Sequence, residues 1–102
     1  MNNIKVVTIC GSMRFKEKMM QIAEELELKK GYVVIQCVYG NNYNNYNKLD
    51  IEKIGRIHFK KIEISDAIYV VNVNGYVGEA TKKEIEYAKS LKKEILSLEP
   101  LD

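Results

Sequence analysis

Three things are scarce in this chain, and each removes a class of function. No stretch approaches the ~20 apolar residues needed to span a bilayer, and the N-terminus lacks a basic segment leading into a long apolar run. The expectation is a cytoplasmic protein with no membrane partner. Charge of one sign is scarce as well. Sixteen Lys and Arg against fourteen Asp and Glu leave a formal +2, and the lysines are spread along helix faces rather than gathered in a block, so nothing calls for nucleic acid. Cysteine is limited to Cys10 and Cys37, in different predicted strands and without metal-ligand spacing. Both are expected to be buried, reduced thiols, with no structural disulfide, no bound metal and no cofactor. With 102 residues, 46% of them hydrophobic, the chain can build one core and therefore one domain over 1–102.

What is present alternates between two periodicities. The run "IKVVTIC" (4–10) is continuously apolar and β-branched up to Gly11, as in a strand covered on both faces. Phe15, Met19, Ile22, Ala23 and Leu26 then recur at helical spacing, and Gly31 ends that helix. "YVVIQCV" (32–38) predicts a second buried strand, followed by a polar, turn-rich loop, "GNNYNNYN" (40–47). Asp50 can cap a second helix in which Ile51, Ile54, His58 and Ile62 share a face. The strand "AIYVVNV" (67–73), a third helix within 76–93 and a last strand near "EILSL" (94–98) complete the series. This β-α-β-α-β-α-β order predicts a small flavodoxin-like, Rossmann-like three-layer α/β domain: a four-stranded parallel sheet, order 2-1-3-4, with helices on both faces. Ligands of such sheets bind beyond the carboxyl ends of the strands, where the order switches direction between strands 1 and 3.

Three loops converge there. "GSMR" sets Gly11 and Ser12 at a helix start, where free N–H groups and the positive end of the dipole favour an anion and Arg14 adds charge; the same turn also reads as a plain cap. "NGYVGEAT" places Gly75 and Gly78 before the next helix N-terminus, a second donor-rich concavity. In the Asn/Tyr loop, Tyr43 and Tyr46 are candidates for a lid that stacks on a base, or members of a plain linker.

One residue breaks the pattern of the third helix. Wound at 100° per residue, Ala80, Thr81, Ile85, Tyr87, Ala88 and Leu91 form an apolar arc, with Glu84 near its middle. An unpaired carboxylate facing a core costs several kcal/mol or takes up a proton, unless it bends out to water.

"VVTICGSMRF", "KIEISDAIYVVNVNGYVG" and "TKKEIEYAKSLKKEIL" together resemble the nucleoside 2-deoxyribosyltransferase superfamily, including its 2'-deoxynucleoside 5'-monophosphate N-glycosidase branch. The similarity spans nearly the whole chain. It rests on the Gly-Ser turn, the Ser-Asp that opens strand 3, and a Gly-rich loop leading to Glu-x-x-x-Ala. The resemblance implies that Glu84 is a nucleophile toward the anomeric carbon of a nucleoside or nucleotide. It also implies that Gly11, Ser12, Gly75, Gly78 and Thr81 lie in loops holding the sugar or its phosphate. In the place commonly taken by an acidic catalytic partner stands His58, which reads either as an acid for the departing base or as a packed histidine. Asp66 opens a strand at the end away from the site and reads as structural. Many members add a further strand that lends a polar residue to a neighbour's site, so a homodimer or larger homo-oligomer is also implied. Two functions follow: cleavage or exchange of an N-glycosidic bond, or a nucleotide-binding module that senses or sequesters a nucleotide-like metabolite. The retained Glu84 favours the first; His58 and the end of the chain after strand 4 favour the second.

Overall fold

The structure is a computed structural model that describes residues 3–40 and 46–101. Strands β1 (Val6–Gly11), β2 (Val33–Ile35), β3 (Ala67–Val71) and β4 (Glu94–Ser97) form one sheet, in the order β2-β1-β3-β4 and parallel throughout. Helices α1 (Lys16–Glu25), α2 (Lys48–Glu63) and α3 (Glu79–Ser90) supply the crossovers. The predicted order and topology are those observed.

Alternation along the central strands sorts the core into two layers. Ile9 and Val71 point to the face covered by α1, where they meet Met19, Ile22, Ala23 and Leu26. Cys10, Ile68 and Val70 point the other way, onto Ile62 of α2 and Ile85 and Ala88 of α3. Fully burying a side chain such as Met19 or Ile62, each 0% exposed, stabilises the fold by roughly 1.5–3 kcal/mol. Polar groups caught between the layers are paired. The Thr8 and Ser65 hydroxyls lie 2.6 Å apart, and Ser65 donates to the Lys61 carbonyl at the end of α2. Asp66 is structural, as expected: its carboxylate accepts from the Val6 N–H at 2.8 Å and its own N–H donates to the Val6 carbonyl, tying β3 to β1.

Several boundaries differ from the sequence reading. The second strand is three residues long, not seven, and Val33 is 45% exposed. It forms a sheet edge, paired on one side only, so an apolar run read as doubly covered is half open. Helix α2 is capped not by Asp50 but by Asn47. The Asn47 side chain accepts from the Asp50 N–H at 2.8 Å while Asp50 accepts from the Asn47 N–H at 3.2 Å, a reciprocal box that satisfies two orphan donors. Gly31 does stop the first helix: after α1 the backbone widens into a π turn over Leu26–Lys30 and ends on Gly31 at φ 71°, a left-handed conformation that costs glycine little.

Candidate active site

At the carboxyl ends of β1 and β3, between the α2 and α3 layer and the loops above it, lies a cavity of about 410 Å³. Gly11 and Ser12 form one wall. Gly11 is where β1 must run close to its neighbours, because a Cβ there would meet the Met19 sulfur at 3.2 Å and the Val71 carbonyl at 3.3 Å. The Ser12 hydroxyl accepts from the Arg14 N–H at 3.3 Å and caps the short turn Met13–Phe15. The opposite wall is the start of α3. Gly78 is its N-cap and carries no side chain to bond the first-turn N–H groups; Gly78 through Thr81 border the cavity, so the positive end of a three-turn helix opens onto it.

Glu84 forms part of the floor. Its side chain is 18% exposed, half sunk in the apolar arc where the helical wheel places it, and it reaches the cavity rather than bulk water. It stands five residues, about 7.5 Å along the axis, beyond Glu79 at the start of α3, and helical side chains lean back toward the N-terminus. Burial pushes the Glu84 carboxyl up to about 7, partly offset by a hydrogen bond from the Cys10 thiol.

His58, buried on α2, sets Nε2 3.7 Å from Glu84 Oε1 and 3.5 Å from Cys10 Sγ. Burial, aided by the positive Lys61, lowers its pKa to about 4. At neutral pH the ring is therefore uncharged, and the contact with Glu84 is no salt bridge despite its length. Cys10, 1% exposed, is held well above the usual thiol range by burial first and by the Glu84 charge second.

Of the residues singled out in the sequence, Gly11, Ser12, His58, Gly78, Thr81 and Glu84 meet in this cavity. Arg14 and Gly75 do not. The Arg14 guanidinium stacks on the Tyr76 ring, 3.9 Å from its centroid, and so braces a residue that lines the cavity without lining it itself. Gly75 supplies a left-handed turn, φ 80°, and lines a separate cleft beside α3 and β4. Tyr46 is half-buried and is not among the lining residues; Tyr43 lies outside the described residues. Sequence reasoning missed Ile51 and Ile54 as apolar lining, although their spacing with His58 put them on one face, and it missed Cys10, which carried no local signal. No family model matches this chain, and no curated protein matches it.

Proposed function

We propose that the protein cleaves or exchanges the N-glycosidic bond of a nucleoside or nucleotide, with Glu84 as the attacking group. The observation that carries this reading is a half-buried carboxylate on the floor of a cavity whose rim is an uncapped helix N-terminus. The rim suits a 5'-phosphate or sugar hydroxyls, the apolar side formed by Ile51 and Ile54 suits a base, and Glu84 borders the same cavity. In the reaction one carboxylate oxygen forms a bond to the anomeric carbon as the C–N bond breaks, and the base leaves with the bonding pair and takes a proton from solvent, which the attacking water or second base returns in the next step. Water or a second base then attacks the same carbon, and Glu84 departs as carboxylate.

His58 favours a second reading. A ring that is neutral at pH 7 is a weak proton donor, so the site lacks a strong acid for the leaving base, as a nucleotide-binding module would. One experiment separates the two. The purified protein is incubated with pooled nucleosides and their 5'-monophosphates, and mass spectrometry scores released base and retained ligand. Released base supports catalysis, and retained intact nucleotide without release supports the binding module. If neither released base nor retained nucleotide is found, both readings lose their support.

The same reading places the protein in the cytoplasm, among nucleotides and under conditions that keep Cys10 and Cys37 reduced. Among the described residues no helix is long and apolar enough to cross a membrane. It also makes the protein a homodimer or larger assembly, a reading that the exposure of the apolar Leu49 (72%), Ile51 (49%) and Ile57 (46%) on α2 favours. Sedimentation equilibrium at micromolar concentration should show a species heavier than the 11.8 kDa chain; a monomer alone refutes the assembly.

A further inference from the structure

Three potential metal ligands, remote in sequence, meet at the base of the cavity: His58 on α2 and Glu84 on α3, which border it, and Cys10 at the end of β1, buried just beneath. Their donor atoms all lie within 4.8 Å of one another. A tetrahedral zinc ion has Zn–S about 2.3 Å, Zn–N about 2.0–2.1 Å and Zn–O about 2.0–2.2 Å, which sets its ligands about 3.3–3.6 Å apart. The observed Sγ to Nε2 separation is 3.5 Å and the Nε2 to Oε1 separation is 3.7 Å. Sγ and Nε2 therefore already stand at the separation of two ligands of one zinc ion. The third is the Glu84 carboxylate, no more than 4.8 Å from Sγ, on a side chain that borders the cavity and can rotate toward the other two.

From this geometry we infer that Cys10, His58 and Glu84 form a three-ligand site for Zn2+, with the fourth position open to the cavity. The donor set selects the metal: one sulfur, one imidazole nitrogen and one carboxylate oxygen suit zinc and its borderline neighbours, whereas magnesium and calcium require oxygen alone. Charge agrees with burial. A thiolate and a carboxylate cancel the divalent ion, leaving a neutral cluster where an isolated charge is costly. Without the ion, all three groups are pushed toward their uncharged forms by burial. Binding forms the Zn–S, Zn–N and Zn–O bonds and releases to solvent the thiol proton, together with the carboxyl proton where Glu84 carries one. Cys37 borders the same cavity but is not part of the cluster.

One consequence rests on the glycosidic reading above: a Glu84 oxygen that coordinates zinc cannot also attack an anomeric carbon, so occupancy turns the reaction off and a chelator restores it.

The site itself is tested without substrate. Reduced, metal-free protein is titrated with Co2+ and then Zn2+, following the absorption spectrum. The expected result is one Co2+ per chain, with the intense visible bands of tetrahedral cobalt and a sulfur-to-cobalt charge-transfer band, both removed by one equivalent of Zn2+. Cys10→Ser should abolish the charge-transfer band. His58→Asn and Glu84→Gln should each weaken Zn2+ binding about tenfold or more, and Cys37→Ser should leave the spectrum intact. A pale octahedral spectrum in the wild type overturns the site, as does a charge-transfer band that is lost in Cys37→Ser and kept in Cys10→Ser. If a variant does not fold, the wild-type spectrum and Cys37→Ser still decide. A cobalt spectrum in a protein that releases no base upholds the metal site while the glycosidic reading fails.

Discussion

Replacing Glu84 with Gln should lower base release by a factor of about a thousand or more while leaving nucleotide affinity within a few-fold of wild type. Gln keeps the length, planarity and most of the hydrogen bonding of the side chain, so neither the cavity wall nor the helix rim should move. It removes the negative charge that drives attack on the anomeric carbon. The amide oxygen is a far weaker nucleophile, and an attack by it would leave a cation where the native reaction leaves a neutral ester. In the proposed complex, binding would rest on other groups, chiefly the first-turn N–H donors of α3 and the apolar wall at Ile51 and Ile54, which the change does not touch. The two quantities should therefore separate. Equal turnover of wild type and Glu84→Gln on a confirmed substrate would remove Glu84 from the chemistry and the mechanism with it. A parallel loss of affinity and rate would instead mark Glu84 as a binding group.

The second large effect is on pH. Because burial raises the Glu84 carboxyl to about 7, the attacking form is the minor one in acid, and kcat/KM should fall about tenfold for each pH unit below 7. The measurement needs a substrate that does not itself titrate between pH 5 and 8, and a chelator to keep zinc away. A profile flat across that window would show that the ionisation of Glu84 does not limit the reaction.

Stability should move in the opposite sense. The folded carboxyl holds its proton up to about 7, whereas the unfolded one loses it near 4.5, so stability is lost as pH rises from the lower value through the higher. His58 acts at the other end. Its folded pKa near 4 lies below the unfolded 6.5, so stability is lost as pH falls through that interval. In the wild type the two opposing slopes partly cancel; in Glu84→Gln only the histidine slope remains. The stability of Glu84→Gln relative to wild type should therefore grow by about 2–3 kcal/mol between pH 5 and pH 8. Urea denaturation of both proteins at the two pH values reads it directly, and a constant difference would show that the carboxyl is not shifted in the folded state.

How much of this was legible beforehand depends on which faces and partners a residue has. Periodicity reports a residue's own element. It located the strands and helices and their order, and it put Glu84 on the buried arc of α3, because a charge on an apolar stripe is visible at a spacing of three and four residues. The Gly31 stop and the structural role of Asp66 were legible for the same local reason: a left-handed turn and a strand entry are properties of a few consecutive residues. The right-handed crossover rule then carried local elements into a sheet order, and with it the end of the sheet where a site must lie.

Other features depend on neighbours that the sequence does not name. The second strand is apolar in composition yet half exposed, because only the assembled order makes β2 an edge. Arg14 and Gly75 flank the right loops, but a cation stacked on Tyr76 and a turn that opens toward β4 take them out of the cavity. Above all, no spacing along the chain announces the cluster of Cys10, His58 and Glu84. Cys10 and His58 are 48 residues apart, and they meet only because the alternation of β1 turns the Cys10 side chain toward the layer that α2 and α3 share. The sequence determined the elements, their order and the presence of a misplaced carboxylate, since these follow from short-range sterics and hydrophobic period. Packing alone decided that this carboxylate should face a neutral imidazole and a buried thiol, and its pKa follows from the low-dielectric surroundings they share.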